Sequence, residues 1–114
     1  MTSPHLSLRI DLPNGQRFGP GKAALLTAIA ETETIRKAAE TLSMSYPRAL
    51  KLIEQMNSSF EHPLVETQHG GIQRGGARLT PAGHAVLELY REICAVTDTA
   101  ARPAFDRLKA YIRK

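Results

Sequence analysis

The spacing of apolar and polar positions changes period several times along this chain. In His5–Leu12, Leu6, Leu8, Ile10 and Leu12 alternate with polar neighbours, the period of two of a strand with one buried face. Asn14-Gly15 follows, a dipeptide suited to a tight hairpin turn, so Gln16 to Phe18 is expected to pair back. Gly19-Pro20-Gly21 then interrupts the pattern, and from Lys22 to Thr32 Leu25, Leu26 and Ile29 share one helical face.

The next two periods are short and close together. Ile35, Ala38, Ala39 and Leu42 recur at helical spacing behind Thr34, which is placed to cap the helix. Alanine at both 38 and 39 lets another helix cross closely, as a helix-turn-helix corner requires. Ser43-Met44-Ser45 breaks the period, and Ser45 can cap a new helix beginning at about Tyr46. Pro47 then falls in the first turn, where its missing N–H costs nothing. Ala49, Leu50, Ile53 and Met56 are expected to face inward. Ser45, Tyr46, Pro47, Arg48 and Lys51 occupy the outer, N-terminal part, the end that enters a major groove in a helix-turn-helix.

Beyond it, β-prone stretches at Leu64 to Gln68 and Ala77 to Thr80 flank a loop with two Gly-Gly pairs. No Asp or Glu occurs from Thr67 through Leu87, whereas Arg74 and Arg78 do, so this hairpin is suited to laying guanidinium and N–H groups against phosphates. A wing directly after a helix-turn-helix is the expected architecture. The carboxyl-terminal part starts with Thr80 as cap and Pro81 in the first helical position. Ala82, Val86, Leu89, Ile93, Val96 and Ala100 step by four and three, as in a heptad seam. A second row, Leu87, Tyr90, Cys94 and Ala101, widens the stripe beyond what one neighbour needs. A helix over about 81–100 would be some 30 Å long and outreach so small a core, which favours a dimer through Val86, Leu89, Tyr90, Ile93 and Val96. Pro103 is expected to end or kink it, with a last helix over 104–112.

Composition adds supporting priors. The 114 residues suit one domain with a modest core: an N-terminal strand and hairpin over 1–18, three helices over 19–63, a wing over 64–80 and dimerisation helices over 81–114. The formal charge of +4 favours a polyanionic partner. Cys94, the single cysteine, reads as a small buried hydrophobe, and His5, His62, His69 and His84 lack metal-site spacing, so no metal or cofactor is expected. Neither a phosphate-binding loop ending in Lys-Ser/Thr nor a Gly-x-Ser-x-Gly elbow occurs, which argues against an enzyme. No apolar run approaches a membrane span and the first residues lack a signal-peptide core, so a cytoplasmic protein is expected.

Gly19-Pro20-Gly21-Lys22, Ala38-Ala39, Ser45-Tyr46, Arg48-Ala49, Glu54 to Asn57, Pro63 to Glu66, the glycine-rich wing and Arg78 to Gly83 together resemble the N-terminal DNA-binding domain of ModE, the molybdate-responsive transcription regulators. The likeness covers nearly the whole chain. More distantly, Ser45-x-Pro47 and Leu79 to Gly83 resemble LysR-type regulators. The resemblance implies a mainly α winged helix-turn-helix that forms a homodimer and binds a palindromic operator in double-stranded DNA. Two positions depart from the family's pattern. Ser43 stands where glycine is common, which requires a left-handed residue or a changed turn, and Ile72-Gln73-Arg74 interrupts the wing glycines. Molybdate-binding domains are not expected after residue 114, so the resemblance implies no molybdate sensing here, and control of molybdenum-related genes is the expectation that remains.

The sequence therefore predicts a stand-alone, dimeric, sequence-specific transcription regulator. Arg48 is the candidate for a bidentate guanine contact and Lys51 for a phosphate or base. Thr34 and Arg36 are placed to hold a phosphate at the start of the preceding helix, and Arg74 and Arg78 to anchor the wing. The alternative is a winged-helix interaction module that heterodimerises with a larger regulator. A small effector is a third possibility, though no convergent polar cluster is visible in the sequence.

Overall fold

In the computed structural model, which describes residues 4–68 and 76–113, the elements follow the order strand, strand, three helices, strand, strand and one long helix. Strands β1 (Ile10–Asp11) and β2 (Arg17–Phe18) pair antiparallel, Ile10 opposite Phe18. Gly15 turns the chain between them at a φ of 86°, and Asn14 Oδ1 accepts from the Gln16 N–H at 3.0 Å. The expected strand over His5–Leu12 is thus shortened to its last part. Pro20, which has no N–H to extend a ladder, follows β2 and opens the next helix. Leu8 is held instead by Tyr90, 82 residues on in the chain, whose hydroxyl donates to the Leu8 carbonyl at 2.6 Å.

Helix α1 (Pro20–Thr32) starts two residues earlier than periodicity suggests and buries Leu25, Leu26, Ala28 and Ile29. Its left-handed C-cap, Glu33, has a φ of 61° and returns its N–H to the Ile29 carbonyl. Helix α2 (Ile35–Thr41) is capped by Thr34, which accepts from the Lys37 N–H at 3.0 Å. Ser43 takes the left-handed conformation that its position demands, with a φ of 54°. Helix α3 (Tyr46–Ser59) follows, capped by Ser45, which accepts from the Arg48 N–H at 3.2 Å. Ala38, Ala39 and Ala49 are all buried, small side chains that let α2 and α3 cross closely. Leu50, expected inward, is 39% exposed and lies on the side of α3 turned to the wing.

Strands β3 (Val65–Thr67) and β4 (Ala77–Leu79) form the base of that wing, with Val65 opposite Leu79 and Glu66 opposite Arg78. Asn57 ties it to α3. Its Oδ1 accepts from the Leu64 and Val65 N–H groups at 2.8 and 3.1 Å, and its Nδ2 donates to the Val65 carbonyl at 3.1 Å. On the other side the Ala77 N–H reaches the Glu33 carbonyl at 2.9 Å, so the junction of α1 and α2 also supports the wing.

Helix α4 (Pro81–Leu108) is a single helix of 28 residues, about 42 Å long, followed by a 3-10 turn, Lys109–Tyr111. The helix does not end at Pro103. The proline is exposed, so water can reach the carbonyl left without its N–H partner, and ion pairs of Arg102 with Asp98 and of Lys109 with Asp106 hold the turns on either side. The two apolar rows of α4 separate. Leu87 and Tyr90 are buried and Cys94 is half-buried against the core, whereas Leu89, Ile93 and Val96 are 56, 43 and 63% exposed. Tyr90 therefore belongs to its own core rather than to the expected outer seam. Its ring meets Phe18 edge-on with centroids 5.2 Å apart, and Phe18 in turn meets Phe60 at 6.1 Å. The projecting end of α4 gives the chain a long dimension of 57 Å and a radius of gyration of 16.5 Å, against about 13 Å for a compact chain of this length.

Candidate nucleic-acid interface

The N-terminal turn of α3 is exposed from its cap outward: Ser45, Tyr46, Pro47, Arg48 and Lys51 all lie on the surface. The sequence places them there by a local device. The Ser45 hydroxyl satisfies the Arg48 N–H and Pro47 has none to satisfy, so this end of the helix needs no covering chain. Arg36, the second residue of α2, lies over Tyr46 with its guanidinium carbon 4.8 Å from the ring centroid. This cation–π contact joins two predicted residues from different helices and fixes the ring at the edge of the helix. Thr34 is half-buried, its hydroxyl oxygen spent on the cap.

Between α3 and the wing runs an open groove of about 650 Å³, whose walls include Tyr46, Leu50, Glu54, Val65, Thr67 and Gly76. Arg78 stands exposed on β4, but its Nε donates to Glu66 Oε2 at 3.2 Å. The acid-free run seen in the sequence starts one residue after Glu66, and strand pairing brings that carboxylate back. Arg74, the other predicted wing anchor, lies outside the described residues.

On its opposite side Arg48 lines a second cavity, together with Arg9, Arg17 and Lys22 from the N-terminal segment and α1. Sequence reading missed this cluster; its one signal was the density of cations between residues 9 and 22. Burial pushes the Lys22 ammonium below its usual pKa, and its Nζ donates to the Arg17 carbonyl at 2.6 Å. Burial, reinforced by the Cys94 thiol, pushes the Tyr90 phenol up to about 12.

These features have counterparts in known proteins. The profile described as "Bacterial regulatory helix-turn-helix protein, lysR family" matches residues 22–84, more than half of the chain. The chain belongs to this family. Among curated relatives it is 44% identical over 70 residues to "Molybdenum transport protein ModE" of Herbaspirillum seropedicae, covering 61% of this chain and 26% of the relative. It is 36% identical over 81 residues to "DNA-binding transcriptional dual regulator ModE" of Escherichia coli K12, covering 71% and 31%. The match to "Molybdenum transport protein ModE" of Azotobacter vinelandii, 32% identical, takes in 94% of this chain but 38% of the relative. The chain thus spans well under half of the length of these relatives.

Among solved structures, "Crystal structure of CbnR_DBD-DNA complex" aligns with a TM-score of 0.58 at 29% identity, covering 82% of this chain and 97% of that one. Full-length CbnR with its target DNA aligns at 0.57, through 28% of its length. The fold is that of the LysR-type winged-helix domains. Among the described residues no helix is long and apolar enough to cross a membrane.

Proposed function

We propose that this chain is the DNA-binding part of a ModE-like, sequence-specific transcription regulator that works as a homodimer in the cytoplasm, on a palindromic operator and on genes related to molybdenum. The carrying observation is the exposed first turn of α3, with Tyr46, Pro47, Arg48 and Lys51 displayed by a fold that aligns along nearly the full length of a LysR-type domain crystallised on DNA. In this reading Arg48 takes a guanine edge and Lys51 a phosphate or base. Thr34 and the stacked Arg36 hold a phosphate beside Tyr46. Arg78 and Arg74 serve the wing, Arg78 with Glu66 as its counter-ion in the free protein. The molybdenum link rests on the names of the curated relatives.

Support for the dimer comes from α4. Val86, Leu89, Ile93 and Val96 form an apolar row along the helix beside its buried face, with Val86 half-buried and the other three exposed. At its base lies an apolar hollow of about 180 Å³ between Ile10, Leu12, Phe60, Val86, Leu89 and Ile93, open to a partner's side chain. Two α4 rows packed against each other would bury these side chains, each worth about 1.5–3 kcal/mol when fully covered.

Selection of binding sites from a random duplex library at physiological salt tests the proposal. An enriched inverted repeat, with half-sites about one helical turn apart, is expected. An enriched single half-site would refute the dimer. No enrichment, with binding only in the presence of a larger regulator, would replace this reading by the interaction-module one.

A further inference from the structure

The cavity beside Arg48 has the makings of an anion site. It occupies about 560 Å³ between the N-terminal hairpin, the first turn of α1 and α3, and four of its lining residues are cations: Arg9, Arg17, Lys22 and Arg48. They come from separate segments of the chain, and no Asp or Glu lines the cavity with them. Asp11, on β1, pairs with Arg17 through Nε at 3.3 Å.

Lys22 is the unusual member. It is only 9% exposed, yet its recorded acceptor is a neutral carbonyl, that of Arg17. An ammonium carries three donors, and burying its charge without a carboxylate is costly. The cost is recovered when an anion enters, because the ligand then supplies the missing counter-charge. Two glycines shape the wall. A Cβ at Gly19 would come within 2.9 Å of Arg9 Cγ, so the glycine lets the Arg9 stem cross α1 closely. Gly21, also on the wall, has nothing within 4 Å of the position its Cβ would take.

From this arrangement the structure assigns the cavity as a binding site for a phosphate group, held by Lys22 at its base and by Arg9, Arg17 and Arg48 around it. Guanidinium and ammonium groups together favour a tetrahedral oxyanion with several acceptor oxygens. The phosphate has two sources: a free phosphate-bearing molecule, or a phosphodiester of DNA next to the base read by Arg48. Because Arg48 faces both the cavity and the proposed groove contact, a free ligand would compete with DNA, whereas a DNA phosphate would add to the same interface. The DNA source rests on the function proposed above; the free source does not.

The test uses the full chain and two variants, Lys22→Met and Arg9→Ala; the second changes an exposed side chain and leaves the core untouched. Inorganic phosphate is titrated against chloride at matched ionic strength while backbone amide signals are followed. Saturable shifts of Gly21, Lys22 and Arg48, weakened by about tenfold or more in the variants, are expected for a free ligand. For the DNA source, Arg9→Ala should lower the slope of log K against log salt by about one on the selected duplex. If the parent protein shows no saturable shifts and Arg9→Ala leaves the salt slope unchanged, the site is overturned, even if the duplex binds well. A protein that binds phosphate but no duplex keeps the site and loses the DNA reading.

Discussion

Replacing Gly83 by alanine sets two opposing effects against each other, and the structure decides which wins. Gly83 sits in the first turn of α4, and a Cβ there would stand 2.1 Å from the Leu64 carbonyl oxygen and 3.3 Å from Leu79 Cβ. Real Cβ atoms essentially never come within 3.0 Å of such a neighbour, so helix and strand must separate by close to an ångström. Two bonds span that seam, the Thr80 N–H to the Leu64 carbonyl at 2.9 Å and the Thr80 hydroxyl to the Pro63 carbonyl at 2.6 Å, and the cap beside it, the Gly83 N–H to Thr80 Oγ1 at 2.9 Å, depends on the same threonine. Overpacking costs about 1–3 kcal/mol and a weakened cap about 1 more. Helix propensity alone would favour alanine by about 1 kcal/mol. The net expectation is a loss of about 1–3 kcal/mol, read as a lower urea midpoint at fixed protein concentration. Gly21→Ala is the control, since open space surrounds that position, and it should be neutral or stabilise by up to about 1 kcal/mol. If Gly83→Ala behaves like Gly21→Ala, the close seating of α4 on Leu64 is wrong.

Arg48→Ala should weaken binding to the selected operator by about 1–3 kcal/mol and relax preference at one base pair; equal loss on operator and random DNA would make Arg48 a phosphate contact. Asn57→Ala removes three bonds between α3 and the wing and should cost about 2–4 kcal/mol in urea unfolding, whereas a shift below about 0.5 kcal/mol would show that water replaces them. Ile93→Glu puts a charge on the exposed row of α4, and equilibrium sedimentation should report monomer at concentrations where the parent is dimeric; an unchanged mass would place the interface elsewhere. The Tyr90 phenol, about 10 when unfolded and about 12 when folded, favours the native state while neutral in both. That contribution is complete below pH 10 and is lost as pH rises toward 12, so Tyr90→Phe should flatten the alkaline fall in stability; identical slopes in the two proteins would contradict the shift.

What the sequence determined by itself is local. The caps at Thr34, Ser45 and Thr80 are each satisfied three residues onward, so the hydroxyl and the N–H it accepts from lie within one reading window. The Asn14-Gly15 turn, the left-handed strain at Ser43 and the small residues where α2 meets α3 are local in the same sense, and so is the exposed first turn of α3 that carries the proposed contacts.

Tertiary structure decided whatever depends on partners distant in the chain. Periodicity showed two apolar rows on α4 but could not say which one the domain keeps; Phe18 and the Leu8 carbonyl, far back in the chain, claim Tyr90 and leave Leu89, Ile93 and Val96 outside. Leu50 turned outward because the groove between α3 and the wing passes on its side. Strand register, not sequence distance, set Glu66 against Arg78. The gathering of Arg9, Arg17, Lys22 and Arg48 around one cavity has the same origin: a hairpin, a helix start and a second helix are each ordinary in sequence, and only their packing brings four positive charges to one place.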